Sequence, residues 1–396
     1  MLPIIDIEGL GLDAGAHLLI KHGLNKVPVG GAVTVTGTAP GWEAQLSAWC
    51  RSQGHPVTFT ADGARITRSA VHAGRWHGAL SSGHADPRHE GAVHEQAHPG
   101  YGLAARGATV EAGAPEYAFR LSEKHGVWAD NAAELYAQAL AAQWHADQAI
   151  DWNAPFDLPD EVEDAVAQVM TYMIENENAA LVVPARFLGQ LHPHFREVQA
   201  VLAIQVADEA RHIDVFTRRL RLRGREPALS TAGGQASLKT LLDEPDFSVA
   251  EFLLSVLGEG TFVTLLNFLH AHAPDPVTRQ IARLASRDEA RHVAFGMSHL
   301  LRRLDREPEF RTRLANAVER RNDALAGTAG LNEEVFDALI LLAAGEFTPA
   351  AIATGYARVQ QLMAEMAEGR FGRLVRLGFD EQTAHRLAAL HTRNFM

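Results

Sequence analysis

The chain has 396 residues, 47% of them hydrophobic and 21% charged, which is enough apolar material for a large core and points to two domains. A net charge of -12 leaves no global basic field, so no nucleic-acid partner is expected. The single cysteine, Cys50, excludes an internal disulfide and any cysteine-rich zinc or iron–sulfur framework, so a metal would have to be held by oxygen and nitrogen.

The opening Met1-Leu2-Pro3-Ile4-Ile5-Asp6 has no basic region, and no uninterrupted apolar run approaches the ~18 residues of a membrane span. A cytoplasmic protein with no membrane contact is therefore expected. In chain order, Ile4–Ile7 reads as a strand, Ala14–Leu24 as a helix, Ala32–Thr36 as a strand and Trp42–Gln53 as a helix. Val57–Thr60 and Ala64–Thr67 then flank an Ala61-Asp62-Gly63 hairpin turn. This βαβαββ order over residues 1–70 predicts a small α+β domain.

The run Ala48-Trp49-Cys50-Arg51-Ser52-Gln53-Gly54-His55 on the second helix, with that order of elements, resembles the TusA/SirA-like sulfur-carrier fold. That family carries its persulfide on a Cys-Pro pair opening the first helix. The matching positions here are Gly11-Leu12, so the resemblance implies a degenerate carrier module used for packing or partner docking. Cys50 itself reads as a packed apolar residue.

Residues 71–107 are rich in Gly, Ala and His (His72, His77, His84, His89, His94, His98), show neither hydrophobic period, and read as a linker. From Asn131 onward the pattern is helical: Ala132–Ala149, Asp160–Leu188, Phe195–Leu222, Ser248–Ala271 and Pro276–Leu304. The last four are long enough to span a bundle, so residues 108–304 are expected to form one with a lead-in helix. Accessory helices Glu309–Leu325, Glu333–Ala344, Pro349–Glu368 and Glu381–Leu390 fill residues 305–396 and would buttress the bundle or form a homodimer interface.

The pentapeptide Asp-Glu-Ala-Arg-His occurs twice, at Asp208–His212 and Asp288–His292. Three helical steps rotate ~300°, so Glu209 with His212, and Glu289 with His292, leave one face a turn apart and can reach one ion. Each pair lies on its helix's apolar stripe, where an ionised carboxylate is costly unless it meets a cation or strong donors. The same reasoning selects Glu259 on the helix between them. On the helix before the first motif the apolar line Val166, Met170, Met173, Ala180 and Leu181 passes through Glu177, with Glu175 as the alternative. Glu177 to Glu209 is 32 positions and Glu259 to Glu289 is 30. Asp208 and Asp288 are candidates to accept a hydrogen bond from the histidine of the opposite motif, with Arg211 and Arg291 balancing their charge.

Glu, Glu-x-x-His, Glu, Glu-x-x-His on four successive helices resembles the ferritin-like carboxylate-bridged diiron superfamily, and the Asp-Glu-x-Arg-His form is most similar to that of the soluble diiron monooxygenases. The resemblance implies a ferritin-like four-helix bundle holding two iron ions, with Mn/Fe or Mn₂ also compatible. It implies an O₂-dependent oxidase or oxygenase acting on a small organic molecule, fed by an external electron donor. Phe216 stands where ribonucleotide reductase small subunits place a radical tyrosine, and Val263 where multicomponent monooxygenases place a threonine. An apolar substrate pocket is expected near Met170, Met173, Phe216, Phe262 and Phe295. Two other functional classes stay open: metal handling or peroxide scavenging of the ferritin or manganese-catalase kind, and a non-catalytic role in sulfur trafficking.

Overall fold

The structure, a computed structural model, describes residues 2–72, 76–326 and 333–390. Small parts of the expected linker and of the accessory tail, residues 73–75, 327–332 and 391–396, lie outside them. Two compact units divide the chain: residues 1–82 with 107–116, and residues 83–106 with 117–396.

In the first unit, β1 (Ile4–Asp6), α1 (His17–Asn25), β2 (Ala32–Thr36), α2 (Trp42–Gln53), β3 (Val57–Thr60) and β4 (Gly63–Thr67) follow one another in the βαβαββ order. The sheet runs β1-β2-β4-β3, with β1 parallel to β2 and the other neighbours antiparallel. Strand β4 begins at Gly63, one residue before the expected start. Its φ of 123° and a position where a Cβ would lie 2.5 Å from the Val35 carbonyl oxygen both demand glycine. The inward residues Val33, Val35 and Ile66 pack on Ile20, Leu24, Leu46 and Cys50 to make the core of this unit. Burial pushes the Cys50 thiol up to about 11, so it is an inert packed group. A two-stranded ribbon, β5 (Leu80–Ser81) with β6 (Thr109–Val110), completes the unit.

The second unit is helical: α3 (Ala132–Ala141), α4 (Asp160–Leu188), α5 (Arg196–Leu222), α6 (Ala232–Leu242), α7 (Phe247–His272), α8 (Pro276–Arg306), α9 (Phe310–Ala326), α10 (Glu333–Ala344), α11 (Pro349–Arg376) and α12 (Glu381–Ala389). The fold class is mainly α, a ferritin-like four-helix bundle of α4, α5, α7 and α8 with α10 and α11 packed on its outside. Helix α7 is long and apolar enough by composition to cross a membrane, although Ser, Gly and Glu interrupt its apolar run, and 83% of its most apolar stretch is buried inside the protein. Asp275 accepts from the Thr278 N–H at 2.8 Å and Pro276 follows at the first helical position, which starts α8 sharply. At that end the fully buried Arg219 guanidinium joins Glu163, Asp275 and Thr278, tying α5 to α4 and α8.

Four features depart from the sequence reading. The lead-in helix stops at Ala141 and resumes only as a single turn at Ala146–Ala149. Helix α6 escaped notice because Gly233 and Gly234 lower its intrinsic propensity; Thr231 caps it and tertiary packing holds it. Helix α11 runs past Glu368 through Gly369 and Gly372 to Arg376. Finally, residues 83–106 of the expected linker are built into the helical unit. The His94 N–H donates to His194 Nε2 at 2.8 Å, and Arg106 forms a buried two-pronged pair with Glu197 at 2.6 and 2.8 Å. Hydrogen bonding rather than apolar periodicity fixes that segment, so no hydrophobic pattern announces it.

Candidate metal centre

Helices α4, α5, α7 and α8 each turn one glutamate into the bundle: Glu177, Glu209, Glu259 and Glu289, each 3% exposed or less. His212 and His292 come from the same faces as Glu209 and Glu289. Their donor atoms form two overlapping groups, Glu177 with Glu209, His212 and Glu289, and Glu209 with Glu259, Glu289 and His292; within each, all lie inside 4.8 Å of one another. Glu209 and Glu289 belong to both groups, so each could serve two adjacent ions. Glu175 is only half-buried and in neither group, so the alternative first-helix candidate falls away.

The imidazoles are aimed from behind. His212 Nε2 lies 3.2 Å from Asp288 Oδ2, and His292 Nε2 lies 3.4 Å from Asp208 Oδ2. An ionised carboxylate can only accept, so each Nε2 carries the proton and each Nδ1 faces the cluster. There His212 Nδ1 is 3.0 Å from Glu209, 3.4 Å from Glu289 and 3.5 Å from Glu177. His292 Nδ1 is 3.0 Å from Glu209 and 3.3 Å from Glu289. Arg211 bonds both aspartates, at 2.9 Å to Asp288, while Arg291 bonds Asp288 and approaches Asp208 at 3.8 Å. The two arginines thus offset the aspartates at the outer edge of the site.

Three further side chains support this frame. Gln205, one turn before Glu209, donates to Glu259 Oε1 at 2.9 Å. Gln143 donates to Asp208 at 2.9 Å, and the Trp144 indole donates to Asp288 at 2.8 Å while its ring stacks over His212. Sequence reasoning missed all three. The one signal for Gln205 is its place on the stripe of Leu202 and Glu209. Gln143 and Trp144 sit in the break after α3, where no period operates.

The charge balance shows what the site requires. Burial together with the neighbouring Glu209 and Glu289 pushes Glu177 well above the usual carboxylate range, and burial with Glu289 does the same to Glu259. Burial also opposes charge on the histidines, yet Glu177 at His212 and Glu209 at His292 overcome it and hold both rings well above the usual imidazole range. Glu259 Oε2 has no hydrogen-bond partner, and Glu177 Oε1, Glu289 Oε1 and Glu209 Oε1 meet only the two imidazole Nδ1 atoms that they share with other carboxylates. Four buried carboxylates served by two imidazole N–H groups are short of donors, a large penalty for an ordinary core and one that a cation would relieve. The residues therefore fit a dinuclear metal site with four carboxylates and two imidazoles.

Glu251, two turns before Glu259, is a further buried acid; burial raises it to about 7, and it accepts from Ser255 at 3.1 Å. The expected pocket residues are packed core instead. Met170, Met173, Phe216 and Phe262 share one apolar cluster and Phe295 lies in another, all at 3% exposure or less. Side-chain packing on both flanks of the cluster closes these five residues off from solvent.

No family model matches the sequence, and no curated protein matches it. Among solved structures, the chain is similar to a protein with aldehyde deformylating oxidase activity from Synechococcus (18% identity, TM-score 0.43, covering 58% of this chain and 96% of that one). It is similar also to the R2-like ligand-binding oxidase from Sulfolobus acidocaldarius (16% identity, TM-score 0.41, 60% of this chain and 90% of that one). An R2-like ligand-binding oxidase with a reconstituted Mn/Fe cofactor gives 17% identity and a TM-score of 0.43 over 68% of this chain and 91% of that one.

Proposed function

We propose that this protein is a dinuclear iron oxidoreductase that uses O₂ to oxidise a small organic substrate by hydroxylation, N-oxygenation or desaturation. The observation that carries the reading is the convergence of four buried carboxylates and two aspartate-aimed imidazoles in two overlapping groups. Glu177, Glu209 and His212 would hold one ion, and Glu259, Glu289 and His292 the other, with Glu209 and Glu289 reaching both. Hard carboxylates with imidazole suit Fe(II) or Mn(II) over softer ions, so Fe₂ is the first choice and Mn/Fe the second. A pair of such ions supplies two electrons together to O₂.

The chain's own groups define the rest. Asp208 and Asp288 keep the Nε2 protons in place, and Gln205 fixes the angle of Glu259. Trp144 covers His212, and the packed Met and Phe side chains exclude water. Electrons would come from a separate donor, in a cytoplasmic setting. Anaerobic loading with Fe(II) followed by O₂ tests the reading: stoichiometric iron and an optical transient are expected, and absence of both overturns it.

The close packing around the cluster favours a second reading, turnover of O₂ or peroxide alone, as in metal handling or peroxide scavenging. Sustained ferroxidase or peroxidase turnover with no organic substrate present would select it.

A further inference from the structure

Between Leu253 and Leu257 of α7 and the tail helices α9, α11 and α12 lies a cavity of about 30 Å³, room for a water or two or for one small ion. Leucine side chains make up most of its wall, and the polar groups among them are Arg321, Asn322 and Arg370. None of the six residues of the metal cluster lines it. A guanidinium in an apolar wall is costly unless it is paired, yet Arg321 is 9% exposed and Arg370 5%. Arg321 is held in place, its Nε donating to Thr240 at 2.9 Å and its Nη2 to Ser237 at 2.8 Å. Arg370 is not: among the described residues its Nε and Nη1 have no hydrogen-bond partner.

Arg373, one turn further along α11, adds a third guanidinium behind the wall. It lies against Gly260 of α7, where an added Cβ would come within 2.5 Å of its Nε, and among the described residues its Nε and Nη2 have no partner either. Burial lowers Arg370 to about 9, with Arg373 adding to the effect, and lowers Arg321 and Arg373 to about 10, so all three stay charged at neutral pH. Among the described residues no carboxylate pairs with any of them. Water could accept from Arg370, but it brings no charge to set against three like groups, whereas an anion does both. Size narrows the choice. A carboxylate or phosphate with its several heavy atoms exceeds the space, while a halide is close to a water molecule in bulk.

We propose that this cavity is a halide site, in which one chloride ion accepts from Arg370 and lies between it and Arg321, enclosed by the leucine walls. The ion takes up donors that the fold leaves unpaired and offsets the repulsion among the three guanidinium groups. It also ties α9, α11 and α12 to α7, the helix that carries Glu259, and so serves as an ionic staple between the tail and the bundle. The site is separate from the metal centre, so binding does not depend on metal or turnover.

The test melts the full chain, with and without Fe(II), in rising sodium chloride or sodium bromide, with ionic strength held constant by sodium gluconate, whose anion is too large for the cavity. A saturable rise of about 2–4 °C in melting temperature is expected for both halides and in both metal states. In Arg370→Met the halide-dependent rise should vanish while the iron content stays unchanged. Crystals of the unaltered protein grown in bromide locate the ion directly, and an anomalous-scattering peak beside Arg370 is expected. Equal melting in chloride and gluconate, a halide dependence that survives Arg370→Met, or bromide-grown crystals without that peak would overturn the proposal. The bromide peak in the unaltered protein decides the matter even if the variant does not fold.

Discussion

His212 and Asp288, 76 positions apart and in different copies of the pentapeptide, meet with Nε2 and Oδ2 at 3.2 Å. The reciprocal contact joins His292 to Asp208. Each motif therefore orients the other's imidazole, and neither helix pair carries a finished half-site. Asp288→Asn keeps the shape but lets the ring choose its tautomer. Metal affinity measured by chelator competition should fall roughly 10- to 100-fold, with secondary structure unchanged; an unaltered affinity would remove the aspartate from the orienting role.

Glu177 and Glu175 are two residues apart on α4 and give opposite expectations. Glu177→Gln takes a carboxylate from the buried cluster and should cut bound iron by about half. Glu175→Gln lies outside the cluster and should leave the metal content unchanged. Equal loss in both variants would count against the assignment of Glu177.

Metal loading should release protons. In the metal-free state Glu177 and Glu259 are held above the usual carboxylate range, and both histidines above the usual imidazole range, so all four retain protons that ions must displace. Affinity should consequently rise with pH up to these raised values. Calorimetric titrations in two buffers of different ionisation enthalpy would show it; identical heats would contradict it.

Burial would raise Glu197, but Arg106 outweighs this and holds it below the ordinary range. A folded value below the unfolded one, near ~4.3, means that the unfolded state binds the extra proton as pH falls. The stability from this group is fully present above ~4.3 and is lost as pH drops through the folded value. Arg106→Met should destabilise the protein by about 3–5 kcal/mol at pH 7, since it strands a buried carboxylate. Urea midpoints for Glu197→Gln should show a shallower decline in acid than those of the unaltered chain.

Much of the centre is legible in the sequence because helical rotation is regular: Glu209 and His212 had to share a face, and the stripe through Met170 and Met173 leads to Glu177 rather than Glu175. The surrounding frame is another matter. Trp144 and Gln143 act from an irregular break, and the His94 backbone meets a histidine 100 residues away. Contacts made by loops carry no period, so their donors are visible only once the chain has folded. The pocket expectation had less to stand on, since apolar character shows that a side chain is inside and says nothing about empty space beside it.

Between Phe252 and Glu259 the backbone is wound as π-helix, so that stretch accommodates roughly one more residue than an α-helical coil of equal height. Deleting a single residue there would let the coil close to regular α-helix with the turns on either side still nearly in register, so only the side chains inside the octet would change their facing.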